Sequence, residues 1–320
     1  MRFLVLLLSM AAALAAAATP PVPVIFDTDM GNDIDDAMAL AILHNLEKRG
    51  EIKLLAVTLT KDNPWASAYT ELINRFYNRP DIPLGVVSNG VTKDEGRFAR
   101  KVAEAHGLKP RQHPEAVALL RKTLAAQADG SVILIQVGFS TNLARLLATT
   151  PDDASPLDGR ALAAKKVKLL SVMGGNFVKG DFLEYNIKED VPSAQKLAAG
   201  WPTPIVFSGF EIGEAITYPY KSIAEDYRWT AKHPVVEGYV LYEKMPHNRP
   251  TWDLTSVLYA LRPDRAYFDL STAGTVSFDA KGKTAFTPSA TGRHRYLKVN
   301  PTQVERIRET FVWLCSEPPK

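Results

Sequence analysis

The 320-residue sequence has a single cysteine, Cys315, and beyond its N-terminal segment it lacks any apolar run long enough to span a bilayer. One cysteine excludes an intramolecular disulfide, and its position near the C-terminus excludes lipid attachment beside a signal peptide. Because a transmembrane helix needs about twenty apolar residues, no stable membrane insertion is expected. The net charge of +3 is small for this length, so a nucleic-acid partner is not expected either.

The N-terminal segment has the composition of a secretory signal peptide. Arg2 supplies a positive charge, an apolar stretch follows, and the small residues Ala16 and Ala18 precede the expected cleavage site. We therefore predict a signal peptide over residues 1–18, a mature domain over residues 19–320, and a periplasmic or secreted location. An uncleaved membrane anchor is the alternative, although the apolar stretch is short for a span.

Strand-like and helix-like patterns alternate through the rest of the sequence without a linker or low-complexity break. This order predicts a single α/β domain with an open, mainly parallel sheet flanked by helices. Residues 266–299 alternate like short antiparallel strands, and residues 302–315 are typical of a closing helix. The strand-like segments of the expected parallel sheet are residues 22–26, 53–59, 83–86, 131–137, 167–172 and 204–207.

Two connecting segments have less defined patterns. Residues 88–113 are polar and basic, which is typical of a solvated loop and helix, with a mobile lid as the alternative. Residues 208–213, with glycine at two of six positions, predict a turn.

An unusual density of acids follows the first predicted strand. Five aspartates fall within ten positions, directly before a helical pattern that begins at Ala37: Asp27, Asp29, Asp33, Asp35 and Asp36. Helix capping accounts for one or two of them. A phosphate-binding turn does not fit, because acids repel phosphate. Strand-to-helix turns hold ligands in open α/β sheets, and clustered carboxylates repel unless a cation separates them, so a Ca²⁺ site is expected.

The segment DTDMGNDIDDA, Asp27 to Ala37, resembles the N-terminal signature of the inosine-uridine preferring nucleoside hydrolases, Ca²⁺ enzymes that cleave the N-glycosidic bond of ribonucleosides. Asn32 and Asp33 form a two-residue insertion relative to the commonest signature, so Asp33 is expected to be an extra acid. Other segments are also similar to family elements and, with the first, span nearly the whole mature chain: QVGFSTNLA (136–144), MGGN (173–176) with EYN (184–186), and RPTWDLT (249–255).

The resemblance implies the nucleoside hydrolase fold and a role for each matching residue. The implied Ca²⁺ ligands are Asp29, Asp36, Asp253 and the backbone carbonyl of Val137. Asp29 is also the implied general base, which takes a proton from the attacking water. The implied ribose-binding residues are Asp35, Asn63, Asn176, Glu184 and Asn186. An ordinary strand-turn-helix, turn or helix-capping role is the alternative for Val137, Asn176 and Asp253, and a solvated side chain is the alternative for Glu184.

One position departs from the family pattern. In the best-known members a histidine precedes the distal aspartate and interacts with the leaving base, whereas this chain has Trp252 there. An indole can stack on a base but cannot protonate it. His247 is the nearest histidine in sequence and is expected at the surface, so leaving-group activation is unaccounted for. Trp252 is expected to bind the base, or alternatively to lie in the core.

Three functions are compatible with these patterns. The leading hypothesis is a Ca²⁺-dependent hydrolase of nucleosides or related N-ribosides, with a small molecule as its partner and the oligomeric state left open. A binding protein on the same scaffold, without turnover, is the second. A phosphatase with Asp27 or Asp29 as its nucleophile is the third, although the following Gly-Thr and the lysine context expected there are missing.

Overall fold

The computed structural model describes residues 20–178 and 180–319, so the predicted signal peptide lies outside the described residues. Within them the chain forms twelve strands: β1 (Val22–Thr28), β2 (Ile52–Leu59), β3 (Leu84–Val86), β4 (Val132–Gln136), β5 (Val167–Met173), β6 (Ile205–Ser208), β7 (Thr217–Tyr218), β8 (Arg249–Pro250), β9 (Asp269–Leu270), β10 (Gly274–Phe278), β11 (Thr284–Pro288) and β12 (His294–Lys298).

The same residues form thirteen α-helices: α1 (Asp35–Lys48), α2 (Pro64–Phe76), α3 (Ala99–Ala105), α4 (Ala116–Ala125), α5 (Thr141–Leu147), α6 (Gly159–Lys166), α7 (Tyr185–Glu189), α8 (Val191–Gly200), α9 (Phe210–Ala215), α10 (Tyr220–Glu225), α11 (Pro234–Tyr242), α12 (Trp252–Leu261) and α13 (Pro301–Ser316). None of these helices combines the length and apolar character that crossing a membrane requires.

The main sheet has the strand order β11-β10-β12-β6-β5-β4-β1-β2-β3, with β9 paired to β12. Every pair from β12 to β3 along this order is parallel, whereas β9, β10 and β11 pair antiparallel with their neighbours. The predicted α/β fold with a mainly parallel sheet and antiparallel C-terminal strands is therefore confirmed.

Helices cover both faces of the sheet, and the alternation of side chains along each strand fills two cores. In β1, Val24 and Phe26 belong to one core with α1, α12 and α13, while Ile25 belongs to the other with α4, α5 and α8. Because both faces are covered, the central strands are apolar on both sides. Helix α1 is buried from Asp35 to Leu46, as expected for a helix enclosed by neighbours.

The carboxyl ends of β1 and β4 approach each other closely at Gly138. A Cβ atom placed there would lie 2.5 Å from the backbone nitrogen of Asp29 and 2.5 Å from the Thr60 hydroxyl oxygen. Only glycine allows this approach, because a side chain at 138 would push the two strand ends apart. The acidic turn and the carbonyl of Val137 are thereby brought to one place on the sheet edge.

Two connecting segments differ from the sequence expectation or refine it. Residues 208–213 were expected to form a turn, but α9 begins at Phe210 because the chain packs against α12 there, with Gly213 directly against the Trp252 ring. The polar segment 88–113 contains the short helix α3. Its Gly96 has a positive φ of 71° and lies against the carbonyl oxygen of Gly31, so this segment rests on the acidic turn.

Candidate functional site

A cavity of about 400 Å³ opens at the carboxyl ends of β1, β4 and β5. This is the edge at which open α/β sheets bind ligands, and the volume is within the range of small-molecule sites. The wall comes from separate parts of the chain: the acidic turn 29–36, residues 94–97 of the polar segment, the ends of β4 and β5, residues 184–186, and residues 249–253.

Three buried carboxylates meet in this cavity. Oxygen atoms of Asp35, Asp36 and Asp253 all lie within 4.8 Å of one another. Asp35 and Asp36 open α1, and Asp253 lies in the first turn of α12, so both helix N-termini point their positive ends at the group. The backbone N–H of Asp253 donates to Asp35 at 3.1 Å, and the Thr28 hydroxyl donates to Asp36.

The electrostatics of this group call for a positive charge. Burial raises the pKa of Asp35, Asp36 and Asp253 well above the usual aspartate range, and the negative charges of neighbouring aspartates raise it further. Helix dipoles offset only a part of this cost, about 1 kcal/mol or less each. A donor set made of hard carboxylate oxygens fits a hard divalent cation, which would allow all three groups to ionise together.

Asp29 lies on the same wall, and its carboxylate is held by a hydrogen-bonded chain of two other side chains. Its carboxylate accepts a hydrogen bond of 2.5 Å from the Asn32 amide, and the Asn32 carbonyl accepts one of 2.5 Å from the Lys61 ammonium. Burial raises the pKa of Asp29 to about 6, although the Asn32 bond and the charge of Lys61 lower it. Among the described residues, Asp29 is not a member of the group of carboxylates within 4.8 Å of one another, which consists of Asp35, Asp36 and Asp253.

Val137, whose carbonyl is an expected cation ligand, lines the cavity. Its oxygen accepts a hydrogen bond of 2.8 Å from the Asn186 amide. A carbonyl oxygen has two lone pairs, so one remains for a cation. Asn186 thus connects the end of β4 with the segment that starts α7.

Glu184 also lines the cavity and caps α7. Its carboxylate accepts backbone N–H groups from Gly175, Asn186 and Ile187 at 2.8 to 3.1 Å. Burial raises its pKa to about 7, although these bonds lower it. Glu184 and Asn186 therefore reach the cavity in positions fixed by the backbone, as the family elements implied.

Two of the expected ribose-binding residues do not line the cavity. Asn63 caps α2, accepting from Trp65 and Ala66, and its amide donates to the carbonyl of Lys93. Asn176 holds the loop after β5, where its amide donates to the carbonyl of Phe182 at 2.9 Å. Both side chains are committed to local structure, so their ribose role stays a prediction without support from this arrangement.

Trp252 lines the cavity and also anchors α12. Its indole N–H donates to the Phe210 carbonyl at 2.8 Å, and the two rings stack with centroids 5.4 Å apart. The guanidinium of Arg249 lies over the same indole at 5.2 Å. These contacts give Trp252 a structural role, while contact with a base stays a prediction. His247 lies outside the cavity wall, stacked on Tyr239 at 4.5 Å.

Asp33, which was expected to be an extra acid without a family role, forms an ion pair in the cavity wall. It accepts from Nε of Arg249 at 2.9 Å, from a second guanidinium nitrogen of Arg249, and from the Tyr242 hydroxyl at 3.3 Å. Sequence reasoning missed Arg249 and Tyr242 as wall residues, since no local pattern links them to Asp33 across 216 and 209 positions. The only available signal was the insertion itself, which adds one acid.

Asp27 has a different environment from the other acids of the turn. It is fully buried in β1, and its carboxylate accepts from Thr58 at 2.6 Å and from Asn142 at 2.8 Å. Burial raises its pKa to about 7. Because Asp27 does not line the cavity, it is not positioned as the nucleophile of a phosphatase.

Solved structures of other proteins share this fold. A plant nucleoside hydrolase, PpNRh1, has a TM-score of 0.73 at 19% identity, covering 93% of this chain and 100% of its own. The purine-preferring ribonucleoside hydrolase from Gardnerella vaginalis has a TM-score of 0.71 at 16% identity, covering 92% and 98%. At these identities the similarity establishes the fold alone.

Sequence comparisons add the family. The pyrimidine-specific ribonucleoside hydrolase RihA of Klebsiella pneumoniae subsp. pneumoniae is 29% identical over 208 residues, which are 59% of this chain and 60% of that protein. The chain therefore matches about three fifths of the length of this relative. The family model for inosine-uridine preferring nucleoside hydrolases matches residues 24–310, which include every residue of the cavity wall. The chain belongs to the inosine-uridine preferring nucleoside hydrolase family.

Proposed function

We propose that this protein is a Ca²⁺-dependent hydrolase of the N-glycosidic bond of ribonucleosides or related N-ribosides. The observation that supports this most is the meeting of Asp35, Asp36 and Asp253 in a cavity of about 400 Å³. Helices that start 217 positions apart would not both bury acids at one point without a ligand that needs them. The family match supplies the reaction class.

The cation would be held by Asp36, Asp253 and the Val137 carbonyl, with Asp29 and Asp35 beside them. Ca²⁺ accepts six to eight oxygens in flexible geometry, whereas Mg²⁺ needs a strict octahedron and keeps most of its waters. A site built from several protein oxygens therefore favours Ca²⁺. When bound, the cation supplies charge that acidifies and orients a water molecule.

Asp29 takes the proton of the attacking water. Asp29 lies on the cavity wall beside the proposed cation, where its carboxylate can accept a proton from a bound water. The Asn32 amide, itself fixed by Lys61, holds one carboxylate oxygen and leaves the other for the water. Water oxygen bonds to C1′ of the ribose while the bond to the base nitrogen breaks, and nearby carboxylates stabilise the positive charge that develops on the sugar.

The sugar hydroxyls would be bound by Asp35, Glu184 and Asn186. Vicinal hydroxyls need both acceptors and donors, which carboxylates and an amide provide together. Glu184 is held by three backbone N–H groups and Asn186 by its bond to Val137, so both are oriented before a ligand arrives. Such preorganisation reduces the entropic cost of binding.

A binding protein without turnover is the second candidate. The observation in its favour is that none of the described residues lining the cavity is a histidine. The two candidates differ in product, because only the hydrolase releases free base and reducing sugar. The periplasmic or secreted location remains part of the proposal and is supported by the composition of residues 1–18.

The metal assignment predicts the composition of the purified protein. Wild type should carry one Ca²⁺ per chain by elemental analysis, and Asp36→Ala or Asp253→Ala should lose it, because the remaining acids would repel without enough ligands. The control is Asp129→Ala, an exposed acid paired with Lys166, which should retain the metal. Retention of Ca²⁺ in both cavity variants would refute the assignment. Asp33 is unsuitable as a neutral control because it holds Arg249.

The base assignment predicts the effect of Asp29→Asn. The amide still offers an oxygen but cannot accept a proton, so kcat on a nucleoside panel should fall by about 10² to 10⁴. Release of base and reducing sugar is the measurement, and the metal content of the variant serves as the control. A loss of tenfold or less in a variant that retains its metal would contradict the general-base role.

If Trp252 contacts the base, two substitutions at this position should differ in their effect on nucleoside affinity. Trp252→Ala should weaken nucleoside binding by about 1 to 3 kcal/mol, the range for base stacking on an aromatic ring. Trp252→Phe keeps a ring but loses the hydrogen bond to Phe210, so it should recover most of the affinity while remaining less stable than wild type. If KM is unchanged in both variants and only the melting temperature falls, Trp252 is an anchor and not a contact of the base.

A further inference from the structure

Arg249 places a guanidinium in the cavity wall, between the rings of Tyr242 and Trp252. Its central carbon lies 4.7 Å from the first ring centroid and 5.2 Å from the second. The side chain is only 16% exposed. Arg97 also lines the cavity, but its side chain lies at the surface, where it donates to the Tyr242 carbonyl. Arg249 is therefore the better oriented of these two cations.

Asp33 fixes this guanidinium on one side only. Nε and Nη2 of Arg249 donate to the two oxygens of Asp33, and the Tyr242 hydroxyl donates to the same carboxylate. The remaining nitrogen, Nη1, has Glu243 as its ion-pair partner at 3.8 Å, which is beyond hydrogen-bond distance. Nη1 can thus donate to a ligand without breaking the bidentate pair.

The reaction needs a positive group on the base side of the cavity. When the bond to C1′ breaks, its electron pair stays on the base, which then carries negative charge. Among the described residues of the wall there is no histidine to neutralise that charge, seven side chains are acidic, and Arg97 and Arg249 are the only cations. An indole N–H that is already bonded to Phe210 cannot do so either.

We infer that Arg249, held by the inserted residue Asp33, is a catalytic residue that stabilises the departing base by hydrogen bonding through its guanidinium. The substrate class is then an N-riboside whose leaving base presents an acceptor atom on the edge that faces Arg249. This inference rests on the proposed hydrolase function and adds the leaving-group residue to it.

The step balances without a general acid. Water gives its oxygen to C1′ and one proton to Asp29, and the C1′–N electron pair goes to the base nitrogen. The base leaves as an anion paired with the guanidinium and is then protonated by solvent water. Arginine stays protonated throughout, because a guanidinium does not lose its proton in proteins.

Two substrate types separate this role from a structural one. A nucleoside needs its leaving base stabilised, whereas p-nitrophenyl riboside releases a phenolate that is stable by itself. Arg249→Gln should lower kcat/KM on nucleosides by about 10² to 10³, the range for loss of one preorganised donor. On p-nitrophenyl riboside, kcat/KM should fall by about tenfold at most. Across a series of leaving groups, the dependence of log kcat/KM on leaving-group pKa should become steeper.

Matched variants keep the test informative. Asp33→Asn retains Arg249 but loosens it, and should show the same selective loss with a smaller magnitude. Arg262→Gln removes another arginine that donates twice to a carboxylate, Glu51, at the opposite end of α12 and away from the cavity wall. It should leave the ratio of the two activities unchanged, whatever its effect on stability.

The outcomes are distinct. A selective loss on nucleosides in Arg249→Gln and Asp33→Asn supports the inference. Equal losses on both substrates, or none, in variants whose melting curves show a folded protein overturn it and leave the hydrolase function standing. If Arg249→Gln does not fold, Asp33→Asn decides by the same ratio. A wild type that cleaves neither substrate overturns the proposed function and this inference with it.

Discussion

Mutual repulsion among buried carboxylates is the constraint on which the site depends. Asp35, Asp36 and Asp253 have oxygens within 4.8 Å of one another, and each residue is at most 4% exposed. Burial and repulsion both oppose ionisation there, so the arrangement is stable only with protons or a cation between the groups. The fold brings them together through the start of α1, which follows β1, and the start of α12, which packs beside it. In the proposed enzyme a cation fills this role, since hard carboxylate oxygens are suitable ligands for it.

Asn32 and Asp33 in the acidic turn link this centre to the rest of the wall. Asn32 connects Lys61 with Asp29, and Asp33 connects Arg249 and Tyr242. Each of these two residues thus binds a positive side chain near, but not inside, the carboxylate group. In the proposed reaction, this arrangement would stabilise opposite charges at the two ends of the breaking bond.

The sequence predicted the central strands well because they are short apolar runs bounded by turn residues. Residues 131–137, for example, were expected as a strand, and β4 is Val132–Gln136. The prediction of a turn at residues 208–213, which was based on two glycines, was wrong. Helix α9 forms there and packs against Trp252. Local patterns carry no information on such a contact between distant segments. Tertiary packing therefore decided that element.

The site was predictable to the extent that its residues follow motifs. Asp29, Asp36, Glu184, Asn186 and Asp253 all reach the cavity wall. Asn63 and Asn176 do not, since each side chain caps or closes the local backbone instead. The ion pair of Asp33 with Arg249 could not be foreseen, because charge pairing across 216 positions has no periodic or compositional trace.

Stability measured as a function of Ca²⁺ tests the central claim most directly. Urea unfolding of the wild type should be followed in EDTA, in Mg²⁺ and over a Ca²⁺ series at constant ionic strength. If a cation relieves the repulsion at Asp35, Asp36 and Asp253, the free energy of unfolding should rise by about 1.4 kcal/mol for each tenfold increase of Ca²⁺ above its Kd. The rise should be much smaller in Mg²⁺ and absent in Asp253→Asn. The same free energy of unfolding in EDTA and in saturating Ca²⁺ would contradict the account.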